Sequence, residues 1–360
     1  MKLGMVFAAG LMLSACNAGF GDNTAEERAS AGKEAGADSA LAGLAFETVQ
    51  GDTSTPATLP VLRTQVLLDR LGFSPGVIDG KEGQSFTLAL KGFQRANDLK
   101  ETGILDDATR KVLEQWRSEP AVMSVKIPAE FANGPFIPDF PKDEAAQAKL
   151  PSLAYRKLME ALAERFHTDQ ETLVALNGPT AKVGAGQVIR VPAIPNAKVD
   201  APPSDERGWS GTLARLGVPS TQPEGEKIVV DKSEGVLRVL GEDDRLIAQF
   251  PATMGSTHDP LPIGNWKVLG VSRNPEFRYN PDLFWDADKD DKKTMLPPGP
   301  NGPVGVVWID LSKPHYGIHG TSAPESIGRA ESHGCVRLTN WDAARVAQMV
   351  RPNTPVVFQE

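Results

Sequence analysis

Cysteine and positive charge are both scarce in this sequence, and each shortage excludes a class of protein. Among the 360 residues there are 2 cysteines, too few for a disulfide-rich scaffold or a four-cysteine zinc site. The 38 Lys and Arg residues are outnumbered by 46 Asp and Glu residues, which gives a net charge of -8. A chain of this charge repels polyanions at long range, so we expect no nucleic-acid partner.

The rest of the composition is that of a folded protein with several domains. Hydrophobic residues make up 40% of the chain and charged residues 23%, values that allow a substantial buried core. At roughly 100 to 200 residues per domain, the length predicts two or three domains. The 34 glycines and 29 prolines indicate many turns and linkers.

The N-terminus has the features of an export signal. The apolar run from Leu3 to Leu13 is shorter than the ~20 residues that span a bilayer. It ends in Leu13-Ser14-Ala15-Cys16, which resembles the bacterial lipobox. The resemblance implies a lipoprotein signal peptide over residues 1–15 and a membrane anchor on lipidated Cys16, with an ordinary signal peptide as the alternative. Asn17 then favours the outer membrane, on the periplasmic side of the cell envelope.

Two segments of different amino-acid composition follow the cysteine. Residues 16–57 are rich in small, polar and acidic residues, which predicts a flexible lipid-anchored tether. Residues 58–118 have apolar residues at helical spacing and predict three short helices. Their pattern L-x-x-L-G-F-x-x-G-x-I-D-G, followed by G-F-Q and T-G-x-L-D-x-x-T, resembles the PG_binding_1 peptidoglycan-binding module. A generic helical spacer is the alternative.

A second small module is predicted over residues 151–195. Its pattern indicates two helices and a closing strand, and resembles LysM, the glycan-binding β-α-α-β unit. The usual first strand is absent or degenerate, so glycan binding by this module is left open. The proline-containing stretches 119–150 and 196–225 are predicted to be linkers on either side.

The last segment, residues 226–360, changes to short β-branched runs separated by turns, with one amphipathic helix from Asn340 to Val350. The fold class predicted for the whole chain is therefore multidomain. It combines a small all-α module, a small α+β module and a mostly-β domain.

If Cys16 is lipidated, Cys335 has the one free thiol of the chain, so it has no partner for a disulfide within the chain. It lies in Ser332-His333-Gly334-Cys335-Val336-Arg337, downstream of His319-Gly320-Thr321. An imidazole close to a cysteine can hold it as a thiolate, and glycines permit a tight turn that aims backbone N–H groups at an oxyanion. These residue types indicate acyl transfer through a cysteine nucleophile.

The two motifs, H-G-T and S-H-G-C-x-R, resemble the signature of YkuD-type L,D-transpeptidases, and the match extends from about Lys227 to Phe358. The resemblance implies a β-sandwich-like catalytic domain with Cys335 as the nucleophile and His319 as the general base and acid. A backbone carbonyl near Gly320 would orient the imidazole. No cofactor or metal is implied.

The same resemblance implies roles for the residues around the nucleophile. The amides of Gly334 and Cys335 would form the oxyanion hole, while Ser332 and His333 would shape the turn. Arg337, whose planar guanidinium suits carboxylates, would hold a substrate carboxylate or brace the site, and Thr321 would contact the substrate.

The reaction implied is attack of the Cys335 thiolate on the third residue of a peptidoglycan tetrapeptide stem, with release of D-Ala. An amine of another stem would then form a 3-3 crosslink, an amine of an envelope protein would attach that protein to the wall, and water would give carboxypeptidase trimming. Acylation of Cys335 by carbapenems is also implied. A non-enzymatic peptidoglycan-binding lipoprotein is the alternative from a different class.

Other chemistry is less well supported by the sequence. His315, His319, His333 and Cys335 could bind zinc, but their spacing matches no common structural zinc site. A papain-like protease would need the cysteine before the histidine. The histidines His167 and His258 are interpreted as ordinary polar residues.

The long segment between Asn274 and Gly305 is predicted to rim the cleft, with a packed insertion as the alternative. Within it, Asp286, Asp288 and Asp290 imitate the start of a calcium-binding loop. Asp291 replaces the required glycine and Pro297 the required glutamate, so a solvated acidic run is expected.

Overall fold

The computed structural model describes residues 41–50, 59–200, 204–283, 292–329 and 334–360. Within these ranges no helix is both long and apolar enough to cross a bilayer. The helices are α1 (Pro60–Arg70), α2 (Gln84–Ala96), α3 (Asp107–Leu113), α4 (Ala129–Ala132), α5 (Glu144–Gln147), α6 (Leu158–Arg165), α7 (Gln170–Asn177), α8 (Trp209–Leu216) and α9 (Asn340–Met349).

The strands form three sheets. Those of the N-terminal half are β1 (Glu47–Val49), β2 (Val122–Lys126) and β3 (Val188–Pro192). Those of the C-terminal half are β4 (Lys227–Asp231), β5 (Val236–Leu240), β6 (Leu246–Pro251), β7 (Thr253–Met254), β8 (Gly264–Arg273), β9 (Phe277–Tyr279), β10 (Thr294–Leu296), β11 (Val307–Leu311), β12 (Gly317–His319), β13 (Val336–Arg337) and β14 (Pro355–Gln359).

Residues 59–118, hereafter the helical module, fold into α1, α2 and α3, as their periodicity predicts. Helix α1 begins at Pro60, which needs no N–H partner in a first turn. Helix α3 is capped by Asp106, whose carboxylate accepts a hydrogen bond from the Thr109 amide. The apolar faces enclose a core that Leu246 of β6, in the C-terminal half, also enters. The module contributes Leu67, Leu68, Phe73, Phe86, Leu90, Phe93 and Leu113 to it.

The middle module consists of β1 and residues 121–194, and it corrects two boundaries expected from sequence. Strand β2 lies in the stretch predicted to be the linker 119–150, and β1 lies inside the predicted tether 16–57. The sheet has the order β1-β2-β3, with α6 and α7 between its last two strands along the chain. Both corrections have one physical cause, since Phe46 and Val125 are buried in the same core and need this sheet to cover them.

The C-terminal domain, residues 204–360, is built on a nine-stranded, barrel-like sheet, so the predicted mostly-β domain is confirmed. The strand order is β6-β5-β4-β14-β8-β11-β12-β13-β7. Helix α8, which falls in the predicted linker 196–225, belongs to this domain because Trp209, Leu213 and Leu216 are buried in its core. Helix α9 follows β13 directly and is capped by the Thr339 hydroxyl, which accepts from the Asp342 amide.

Helix α9 joins the three parts of the chain. Its residue Arg345 makes a two-pronged ion pair with Asp69 of α1, with N–O distances of 2.7 and 3.1 Å. Asp342 accepts a 2.7 Å hydrogen bond from Ser74 of the helical module. Burial alone would raise the pKa of Asp69, but the charge of Arg345 and hydrogen bonds from His167 and Arg345 hold it well below its usual range.

His167 is a central part of this junction, which corrects its interpretation as an ordinary polar residue. It is fully buried, and its ring nitrogens face Asp69 Oδ2 at 3.0 Å and the Leu216 carbonyl oxygen at 2.8 Å. The ring also stacks on Trp341 of α9, with ring centroids 5.1 Å apart and planes inclined by 5°. One imidazole therefore contacts α1, α8 and α9 at once.

The segment 274–305 packs on the middle module where it is described. Strands β9 and β10 pair with each other, and Tyr279 and Leu296 share a small core with Leu153. The Leu153 amide donates to the Pro298 carbonyl at 2.9 Å. These parts match the alternative of a packed insertion rather than a rim of the cleft. Asp286, Asp288, Asp290 and Asp291 lie outside the described residues.

Removal of the Asp69 charge tests how much the junction contributes to the stability of the fold. We expect Asp69→Asn to lower the free energy of unfolding by about 3 kcal/mol at neutral pH, because Arg345 loses its main buried counter-charge. The folded pKa of Asp69 lies below the ordinary value of 3.8, so its contribution is present above that pH and is lost as the pH falls below it. The difference from the parent protein should therefore shrink in acid.

Thermal and urea unfolding followed by circular dichroism at several pH values measures this effect. The matched control is Glu171→Gln, which breaks the exposed ion pair with Lys81 and should cost less than about 1 kcal/mol. If both variants lose the same free energy of unfolding, the buried ion pair stabilises the protein no more than an exposed one.

Candidate active site

Two adjacent parallel strands carry the main candidate residues. Strands β12 and β13 pair in parallel, with Ile318 opposite Val336 and His319 opposite Arg337. Ile318 and Val336 are fully buried in the core of the C-terminal domain. Because side chains alternate along a strand, His319 and Arg337 project from the opposite face of the sheet. The described structure thus brings together two of the residues predicted from sequence.

Cys335 immediately precedes β13 and is half-buried. It is two residues before Arg337, so strand alternation aims it to the same face as His319. Its thiol lies near the loop that precedes β12, since its Sγ donates to the His315 carbonyl oxygen at 3.8 Å. On this argument the thiol and the imidazole lie on the same face of the sheet.

The imidazole of His319 is held in one orientation. It is buried, with 4% of its surface exposed, and its Nδ1 lies 2.7 Å from the Gly320 carbonyl oxygen. A carbonyl only accepts hydrogen bonds, so Nδ1 carries the hydrogen and Nε2 of the neutral ring is left as an acceptor. The Trp308 indole covers the ring, with centroids 5.7 Å apart and planes inclined by 21°.

Gly334 forms the turn that presents the thiol. Its φ of +91° lies in the region that side chains disfavour. A Cβ at this position would also lie 2.5 Å from the Tyr316 ring. The turn requires glycine for both reasons, and Tyr316 forms a wall beside Cys335.

The thiol and the imidazole are both neutral in the resting site. Burial raises the pKa of the Cys335 thiol, although a hydrogen bond with the Gly317 backbone and the charge of Arg337 act in the opposite direction. Burial and, to a smaller extent, the charge of Arg337 lower the pKa of His319 to about 4, although its hydrogen bond to Gly320 acts in the opposite direction. These directions differ from the thiolate expected from sequence, because a shielded site penalises both charged forms.

The remaining predicted residues have different positions. Thr321 is buried, and its hydroxyl oxygen accepts a hydrogen bond from the Ala323 amide at 3.2 Å, so it stabilises the loop after β12. Ser332, His333 and Cys16 lie outside the described residues. Within the described ranges, no group of three or more His, Cys, Asp or Glu side chains is arranged to hold a metal ion.

Sequence reasoning missed several residues that shape the site. Trp308 and Tyr316 give no motif signal, although Tyr316 lies between the two histidines of the H-G-T region. Asp259 comes from a distant loop, and its charge acts to raise the pKa values of both Tyr316 and Cys335. Asn340 was seen only as the start of a helix. All four are placed by tertiary pairing rather than by local sequence.

Comparison with known families finds two matches in the chain. Residues 225–358 match the YkuD model, described as the L,D-transpeptidase catalytic domain. Residues 60–113 match PG_binding_1, a family of peptidoglycan binding domains. The first range contains the candidate site, and the second covers the helical module.

Curated relatives have the same family name. A Bacillus licheniformis protein described as L,D-transpeptidase YkuD is 32% identical over 202 residues, which are 55% of this chain and 91% of that protein. The Escherichia coli L,D-transpeptidase YbiS is 30% identical over 150 residues, 40% of this chain and 47% of that protein. The chain therefore spans most of one relative and about half of the other.

Solved structures include L,D-transpeptidase 3 from Mycobacterium tuberculosis in complex with a faropenem-derived adduct. It is 21% identical, with a TM-score of 0.31, and the match covers 37% of this chain and 59% of that one.

Two opposite charges near Cys335 give a test of the local electrostatics. We expect Asp259→Asn to lower the pKa of the Cys335 thiol, because the carboxylate disfavours a neighbouring thiolate. We expect Arg337→Gln to raise it, because the guanidinium favours the thiolate. The rate of alkylation by iodoacetamide as a function of pH measures both shifts.

The two variants serve as controls for each other, since a general effect of mutation would move both profiles in the same direction. Cys335→Ala gives the background. Profiles that coincide with that of the parent protein in both variants would place these charges too far from the thiol to matter.

Proposed function

This chain belongs to the L,D-transpeptidase family and carries its catalytic domain, and on that basis we propose that it transfers peptidoglycan stem peptides through a thioester on Cys335. The proposal is supported chiefly by the parallel pairing of β12 with β13, in which His319 lies opposite Arg337, two residues after Cys335. The hydrogen bond from Nδ1 to the Gly320 carbonyl leaves Nε2 as an acceptor for the thiol proton. His319 is therefore the general base.

The first half-reaction starts from the neutral pair. As Sγ of Cys335 bonds to the carbonyl carbon of the third stem residue, its proton passes to Nε2 of His319. The tetrahedral intermediate then collapses: the C–N bond to the terminal D-Ala breaks, and the imidazolium gives its proton to the leaving amine. Proton transfer during attack avoids a free thiolate, which the burial of the site disfavours.

Neighbouring groups stabilise charge during this step. The amides of Gly334 and Cys335 are proposed as oxyanion donors, because the glycine turn is the part of the backbone that precedes the nucleophile. Ser332 and His333 are proposed to complete that turn. Arg337, which shares a face with His319, is proposed to bind a substrate carboxylate.

The second half-reaction decides the product. An amine that loses its proton to His319 attacks the thioester, forms an amide and returns the thiol to Cys335. We favour the side-chain amine of a second stem, which yields a 3-3 crosslink. An envelope protein is the alternative amine donor, and water would make the enzyme an L,D-carboxypeptidase.

The N-terminal half is proposed to bring the enzyme to its polymer. The peptidoglycan-binding match of the helical module supports wall binding, and the middle module is proposed to be LysM-like. Lipidation of Cys16 would hold the protein on the periplasmic side of the envelope, with the outer membrane favoured. Peptidoglycan is thus both ligand and substrate.

Incubation of the purified protein with disaccharide-tetrapeptide, followed by mass spectrometry, tests the reaction. We expect crosslinked dimers with loss of D-Ala, and at least a thousandfold lower turnover in Cys335→Ala and in His319→Ala, because each removes an essential participant.

Lys267→Gln, an exposed change on strand β8, is the control and should retain turnover. Tripeptide without dimers would indicate the carboxypeptidase. No reaction and no acyl-enzyme would favour the non-enzymatic binding protein. Near-normal turnover in either site variant would remove that residue from its role.

A carbapenem gives a second test, of the nucleophile alone. Its strained amide should acylate Cys335 and raise the intact mass by one stable adduct. The Cys335→Ala variant should keep its mass, while Asp259→Asn should still react. Adduct formation in Cys335→Ala would assign the nucleophile elsewhere.

A further inference from the structure

The side chain of Asn340 holds the backbone behind His319. Asn340 begins α9 and is fully buried. Its Oδ1 accepts from the Val306 amide at 3.3 Å, and its Nδ2 donates to the Pro300 carbonyl at 3.2 Å. A Cβ on Gly320 would lie 2.2 Å from Asn340 Oδ1, so the carboxamide occupies the space that glycine leaves. Gly320 supplies the carbonyl that orients His319.

The same stretch of chain is tied to both halves of the site. Between the thiol turn and Asn340, the Leu338 amide donates to the His319 carbonyl at 2.9 Å. Asn340 then fixes the end of this stretch against Gly320. A displacement of Asn340 would therefore move the imidazole relative to the thiol.

The partner that fixes Asn340 comes from the middle module. Both carboxyl oxygens of Glu164, on α6, lie 3.1 Å from Asn340 Nδ2 and accept from it. The Tyr155 hydroxyl donates to Glu164 Oε2 at 2.9 Å, which holds the carboxyl group from its other side. Glu164 is itself buried, with 4% of its surface exposed.

We propose that Glu164 is a positioning residue for the transpeptidase site: through Asn340 it fixes the Gly320 carbonyl, and with it the orientation of His319. The middle module is then a component of the active site and not only a wall-binding attachment. This inference rests on the proposed function for its turnover readout, but not for its readout of thiol reactivity.

Burial raises the pKa of Glu164 to about 8, while the hydrogen bonds from Asn340 and Tyr155 act in the opposite direction. Glutamine has the same shape without the ionisable group, and its side-chain oxygen can still accept a hydrogen bond from Asn340. Leucine removes the acceptor, and aspartate shortens the side chain and withdraws it from Asn340. Comparison of the three variants distinguishes the effect of the hydrogen bond to Asn340 from the effect of a charge at position 164.

We expect Glu164→Leu to lower kcat at least tenfold with KM within about twofold, because small misplacement of catalytic groups costs rate more than binding. Glu164→Asp should show the same direction, and Glu164→Gln should stay within about twofold of the parent protein. Asn340→Ala should match Glu164→Leu, and the double variant should lose no more than Asn340→Ala alone.

Ser74→Ala is the matched control. It removes a buried hydrogen bond from the helical module to the same helix α9, but at Asp342, whereas the side chain beside Gly320 is that of Asn340. It should lower the melting temperature as Glu164→Leu does while leaving kcat unchanged. If Ser74→Ala and Glu164→Leu reduce kcat alike, Glu164 contributes to stability and not to positioning.

Alkylation of Cys335 by iodoacetamide at fixed pH provides the readout that needs no peptidoglycan. Glu164→Leu and Glu164→Asp should slow it toward the rate of His319→Ala, while Glu164→Gln should restore it. If the protein turns over no stem peptide, the proposed function fails and this experiment still decides the role of Glu164. Parent-like alkylation and kcat in a folded Glu164→Asp protein would overturn the inference.

Discussion

The burial of polar groups on helix α9 is the constraint on which the arrangement of this protein depends. Asn340, Asp342 and Arg345 are all enclosed, and a buried polar group is tolerated only where it finds a partner. Their partners include Glu164, Ser74 and Asp69, none of which belongs to the C-terminal domain. The hydrogen bonds and ion pair that the helix after Cys335 makes are therefore complete only when both N-terminal modules are in place.

The same shielding sets the chemistry of the site. A thiol and an imidazole removed from water both lose their charged forms, and the fixed Nδ1 hydrogen bond of His319 determines which nitrogen stays available. A neutral pair is a weaker nucleophile at rest than a thiolate. It is also less exposed to oxidation, because oxidants react with the thiolate. The geometry thus combines protection of the thiol with readiness for proton transfer.

Local signals in the sequence were sufficient to predict the helices of the helical module, since helical periodicity identified α1 to α3. They also marked Cys335 and His319 as candidate catalytic residues, because both lie in short motifs. Strand β2 was missed because its five residues lie between prolines, and its partners, Glu47–Val49 and Val188–Pro192, are far away in sequence. Glu164 and His167 were missed for the same reason, since only the tertiary fold brings them to α9.

The polar contacts of the junction also limit which modules from other proteins could replace the N-terminal modules of this chain. Apolar faces tolerate many partners of similar size, but the Asp69–Arg345 pair and the Glu164–Asn340 contact require particular groups at particular positions. An N-terminal half taken from another protein would leave Arg345 without the Asp69 carboxylate and Asn340 without the Glu164 carboxyl group. Exchange of modules by gene fusion therefore demands matched changes on both sides, so the three parts are expected to be inherited together.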